Sequence, residues 1–166
     1  MSPLTIIAFI LIILIVSWIF GLRKTRGRKR RKPAFKKQYG LDSVQPIKDF
    51  ERKMANGMFQ EGKEVFVTAF CNHTHVLKVT ANIGSKHSCR PTDEVSLWAL
   101  NARKNGANNI RQYHNHPHIW GRSFPSSADK RSHRDLHNYL KESGIRFESL
   151  LVYKSWFGGH RIKKYG

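Results

Sequence analysis

Residues 4–22, Leu-Thr-Ile-Ile-Ala-Phe-Ile-Leu-Ile-Ile-Leu-Ile-Val-Ser-Trp-Ile-Phe-Gly-Leu, contain no charged side chain. An apolar run of this length is enough to cross a hydrocarbon layer of about 30 Å as a helix. Trp18 and Phe20 lie near one end, where interfacial aromatics gather. A cleaved signal peptide would carry its positive charges before the run and a small-residue cleavage site after it; here the charges follow and no such site is seen. A buried helix of a soluble core is a poor match as well, because the run presents no polar face. The segment 1–22 is therefore expected to be a transmembrane anchor.

Ten Lys or Arg and no Asp or Glu fall between Arg23 and Lys37. Basic residues flanking a span stay on the cytoplasmic side, so a single-pass protein with its C-terminal domain in the cytoplasm is expected. This polybasic juxtamembrane segment, 23–37, would also meet anionic headgroups, worth about 1 kcal/mol per basic residue near the surface. A nucleic-acid role is the alternative for such a run. Its place directly after the apolar stretch makes topology the simpler cause. The whole chain has 30 basic against 11 acidic residues and a net charge of +19. The part beyond the run stays net basic, which fits either an acidic partner or a solvated basic face.

A length of 166 residues allows one domain and an appendage. Cys71 and Cys89 make no disulfide framework, although one bridge between them stays open. Without a Cys-x-x-Cys pair, a thiolate zinc finger is excluded. Residues 38–60 read as a linker holding a short helix from about Pro46 to Ala55, and the domain is expected over 61–166. Glu64–Phe70 and Val76–Ile83 have the β-branched and aromatic content of a hairpin, turning at Asn72–His75. A helix is predicted from about Pro91–Glu94 to Lys104, a strand ending near Tyr113, a second helix over 126–143 stopped by Gly144, a strand over 147–154, and a terminal ribbon with Gly158-Gly159. This is an α/β (α+β) pattern: a mixed sheet flanked by helices.

The chemistry gathers at Tyr113-His114-Asn115-His116-Pro117, followed by Pro125-Ser126-Ser127-Ala128-Asp129. Residues two apart on a strand share a face, so His114 and His116 point the same way and are able to hold one metal ion. Pro117 cannot donate to a ladder and ends the strand. Two imidazoles and the Asp129 carboxylate form a three-ligand zinc set with a fourth position left open, the catalytic arrangement. Taken alone, Ser126-x-x-Asp129 is a helix start, with Ser126 as N-cap and Asp129 favoured by the helix dipole.

In this order and spacing the residues resemble the signature of the JAB/MPN/JAMM metalloprotease family, and His-Asn-His-Pro followed by Pro-Ser-x-x-Asp is most similar to its RadC-like branch. The resemblance covers about Glu61 to Val152. It implies a compact JAB/MPN-like (cytidine-deaminase-like) domain and a Zn2+ cofactor held by His114, His116 and Asp129. An upstream Glu would act as base on the water. Glu64, at the head of the first strand, is the stronger candidate and Glu61 its competitor. Ser126 would donate to the developing oxyanion. The implied activity is hydrolysis of a peptide or isopeptide bond, with a protein or peptide substrate that is ubiquitin-like in some branches. One departure is a His116–Ser126 loop two residues longer than in the RadC-like pattern. It brings Trp120 and Phe124 either over the metal or into packing of the loop itself.

The pairs His73/His75 and His133/His137 have ligand spacing but no matching acid, so solvated or capping roles are expected. Cys89 is expected to be a small packed residue. Two classes of function remain: a membrane-tethered zinc hydrolase, and a non-catalytic basic module of the same fold that holds nucleic acid or an acidic protein at the membrane.

Overall fold

The computed structural model describes residues 34–91, 94–117 and 124–166. The expected transmembrane segment and all but the last few residues of the polybasic run lie outside them. Among the described residues no helix is long and apolar enough to cross a membrane. Residues 33–166 form one compact unit.

Its elements, in chain order, are α1 (Phe35–Gln38), β1 (Gln45–Pro46), α2 (Ile47–Gln60), β2 (Val65–Cys71), β3 (His75–Ile83), α3 (Glu94–Asn101), β4 (Asn109–Asn115), α4 (Ser127–Leu140), a 3-10 turn (Lys141–Ser143), β5 (Arg146–Lys154) and β6 (His160–Lys164). The six strands make one sheet in the order β1-β3-β2-β4-β5-β6. All neighbours are antiparallel except β4 and β5. That parallel pair is joined through α4, the usual way to return a chain to the same edge of a sheet. The fold is thus α+β with a mixed sheet, as the alternation of strand and helix patterns led one to expect.

The sheet is covered on both faces, which explains why every residue of β2 is buried. Val65, Val67, Ala69 and Cys71 share one core with Phe50, Met54, Met58, Tyr113 and Val152. Phe70 and Ile110, of opposite parity, share the other with Val95, Ala99, Leu140 and Phe147. The 38–60 stretch is therefore more than a linker. Ile47, Phe50, Met54 and Met58 recur at helical spacing, and α2 lays that stripe on the sheet. The compact unit begins near residue 33, not at 61. Truncating the fully buried Met54 to Ala would cost about 2–5 kcal/mol.

Two boundaries shift. The first long helix ends at Asn101 rather than near Lys104; turn bonds carry the chain on to Gly106, at φ +79°. The second closes through its 3-10 turn onto Gly144 in the left-handed region (φ +65°), a conformation that favours glycine.

Candidate metal centre

His114 sits near the C-terminal end of β4 and His116 one residue beyond it. The chain then enters α4 through Ser126. The Ser126 backbone N–H and Oγ each donate to Asp129 Oδ2 at 2.7 Å, and Ser126 Oγ accepts the Asp129 N–H at 3.1 Å. This reciprocal capping box starts the helix and fixes the carboxylate in its first turn. Asp129 also complements the positive end of the helix dipole.

A capping box needs no histidines, yet two stand here. Nε2 of His114 lies 3.3 Å from Asp129 Oδ2, and Nε2 of His116 lies 3.6 Å from the same oxygen. One ligand atom from each of the three residues falls within 4.8 Å of the others. The His114 side chain is 6% exposed, that of His116 12% and that of Asp129 19%. His114 Nε2 is buried and, despite its closeness to Asp129, makes no hydrogen bond; His116 Nδ1 is buried without a partner too. Orphaned buried nitrogens are uncommon in folded proteins and call for a cause. A cation shared by the three residues would supply one for His114 Nε2, and the donor set suits zinc. Burial alone would push the Asp129 carboxyl up. The imidazoles of His114 and His116 and the Ser126 hydroxyl outweigh it and hold the group well below the usual carboxylate range.

Neighbours fix the first imidazole. Phe66 stacks on the His114 ring with centroids 5.9 Å apart, and Tyr165 meets it edge-on. Tyr165 Oη lies 3.4 Å from His114 Nδ1. Were Nε2 to hold a metal, Nδ1 would carry the proton and donate to that oxygen, the usual way a ligating imidazole is oriented. Burial, and then the charge on Asp129, push the Tyr165 phenol up, so it stays a neutral hydroxyl.

Glu64 directly precedes β2. Its N–H donates to Ser85 O (2.9 Å) and its carbonyl accepts the Gly84 N–H (2.8 Å), so it continues the β2–β3 ladder by one residue. Phe66 faces His114 across β2 and β4. Glu64, two residues back, therefore shares the histidines' face. Burial pushes its carboxyl above the ordinary range, against the pull of His116 and His114. The competitor, Glu61, instead accepts a hydrogen bond from Tyr39 Oη at 3.2 Å.

Asn115, between the two histidines and on the opposite face, escaped the reading of the sequence. It is fully buried. Its Oδ1 accepts the Val65 N–H at 2.7 Å, and its Nδ2 donates to Met58 O (3.1 Å) and Lys63 O (3.4 Å). It clamps the end of α2 and the start of β2 on either side of Glu64. The sequence signal was a polar side chain on the core face of a buried strand.

The other expected groups are structural. His73 Nε2 meets Asn108, His75 Nδ1 meets Thr74 Oγ1, and His133 Nδ1 meets Ser149 Oγ. Both cysteines are free thiols, and burial pushes that of Cys71 up to about 12. Phe124 is exposed with the Lys163 ammonium 4.6 Å from its ring centre, while Trp120 lies outside the described residues.

Compared with protein-family models and with curated proteins, the chain has no match.

Proposed function

We propose that this chain is a membrane-anchored, zinc-dependent hydrolase of JAMM type that cleaves a peptide or isopeptide bond. The observation that carries the reading is the convergence of His114, His116 and Asp129 ligand atoms within 4.8 Å, with a buried nitrogen left unpartnered among them. Its support in the sequence is the ordered Glu, His-x-His-Pro and Ser-x-x-Asp pattern.

His114, His116 and Asp129 would hold the metal. Bound there, zinc supplies Lewis acidity toward the scissile carbonyl and makes a water acidic enough to ionise near neutral pH. Glu64 takes a proton from the attacking water on its carboxylate and hands it to the departing amine; its raised pKa suits both transfers. Ser126 is the donor placed for the oxyanion, but its hydrogen is committed to Asp129 at 2.7 Å. The hydroxyl must turn away from Asp129 to serve, and its backbone N–H remains to hold the carboxylate. Asn115 and Tyr165 keep the Glu64 backbone and the His114 ring in register. The apolar run at 4–22 tethers the enzyme to a bilayer with the domain on the cytoplasmic side, and a protein substrate follows from the family likeness.

The test is hydrolysis of isopeptide- and peptide-linked substrates by the full chain in detergent, with and without a chelator. Glu64→Gln should keep its zinc and lose about 10²–10⁴ in rate. Full activity in the chelator, or in Glu64→Gln, would sink the proposal.

A further inference from the structure

Beside the metal cluster runs a groove of about 770 Å³, between the sheet, the loop after β3 and helix α4. Phe66, which stacks on His114, forms one end, and Ala128, the neighbour of Asp129, also lines it. Val95, Leu136 and Tyr139 make its walls apolar. One lining residue does not belong in an apolar slot. Gln112 is 3% exposed, and its Nε2 is buried with no hydrogen-bond partner. Thr68, its cross-strand neighbour on the same face, is 1% exposed, and its Oγ1 is unpartnered as well. A buried amide donor without an acceptor is costly, and a ligand oxygen in the groove would relieve that of Gln112. Arg90 and Arg131 stand in the lining with the single acid Asp135. Among the described residues neither guanidinium is held in an ion pair.

We propose that this groove is the specificity site for a glutamate side chain of an extended peptide. The apolar walls take the methylene stem, the Gln112 amide donates to the carboxylate, and Arg90 and Arg131 supply the favourable charge. Resting on the proposed hydrolase, the site lies next to the cluster and so receives a residue close to the bond that is cut. Glutamine satisfies the same donor without the charge; leucine fills the slot and leaves the Gln112 amide unpaired.

Binding is read without metal, so that it stands apart from hydrolysis. Fluorescein-labelled N-acetyl-Leu-X-Gly peptides, with X as Glu, Gln, Leu or Lys, are titrated by anisotropy against the full chain in EDTA. The Glu peptide should bind about tenfold more tightly than the Leu peptide, with Gln between them. Gln112→Leu should erase the advantage over Leu. Arg131→Glu, on the exposed rim, should reverse the order of Glu and Gln whatever Gln112→Leu does to folding. A Leu or Lys peptide that equals or beats Glu, or an order that survives both substitutions, overturns the proposal. Glu selectivity in a chain that takes up no zinc would leave the groove standing and remove the hydrolase. Zinc-dependent cleavage with no Glu preference would do the reverse.

Discussion

The two faces of β4 are built to different rules. On one, Tyr113 Oη donates to Glu51 Oε1 at 2.8 Å, Arg111 pairs with Glu51 and Glu148, and Asn115 spends its amide on three backbone groups. Asn109 Oδ1 and Arg111 Nε make no hydrogen bond there, but Asn109 Nδ2 meets Glu148 and Arg111 Nε lies 2.9 Å from Glu148 Oε2. On the other, Gln112 Nε2, His114 Nε2 and the neighbouring Thr68 Oγ1 are all buried without a hydrogen bond, His114 Nε2 lying 3.3 Å from Asp129 Oδ2. A strand cannot acquire this difference from propensity, since both faces belong to the same seven residues. The first face fastens α2 to the sheet. The second carries polar atoms without hydrogen bonds among the described residues, which the proposed cation at His114 and the proposed acceptor oxygen at Gln112 would satisfy.

Removing side chains from the two faces should break the comparison in opposite ways. Asn115→Leu strands the Val65 N–H and the Met58 carbonyl in the core and should lower stability by about 3 kcal/mol in urea unfolding. Gln112→Leu strands nothing and should be neutral or stabilising by the same measure. Equal losses would show that the orphaned atoms are partnered after all. A smaller effect sharpens the metal side. Tyr165→Phe removes the acceptor for His114 Nδ1 and should weaken zinc binding about tenfold in a chelator competition, with the fold retained. The smallest concerns pH in the metal-free protein. The Glu64 carboxyl is raised, so the folded state holds its proton more tightly than the unfolded one, and stability falls as pH climbs through the raised value. Glu64→Gln should therefore raise the melting temperature at pH 7 and lose that gain well below the ordinary glutamate value, where Glu64 is protonated in both states. A gain independent of pH would contradict the assignment.

Much of this was legible in the chain, and the rest was not for identifiable reasons. The parity of His114 and His116 follows from the two-residue repeat of a strand, and Ser126-x-x-Asp129 announces its own helix start, so both survive without tertiary information. Helix α2 was under-read because Gly57 and its many polar residues blur a stripe that Phe50, Met54 and Met58 complete only against the sheet. The partners of Asn115 are 50 and 57 residues away, and Tyr165 reaches His114 from just past the last strand. Such contacts depend on register, which local pattern does not set. Glu64 was favoured over Glu61 from its place at the head of the first strand, and the β2–β4 pairing puts it on the histidines' face.

The central claim is that three side chains share one cation. Elemental analysis of the full chain, purified in detergent and equilibrated with zinc, measures it directly beside Asp129→Ala and His114→Ala. The account predicts one zinc per wild-type chain and none retained by either variant after the same dialysis. A wild type that stays metal-free, or variants that hold zinc as well as it does, would contradict the account and leave His114, His116 and Asp129 as an ion-paired helix cap.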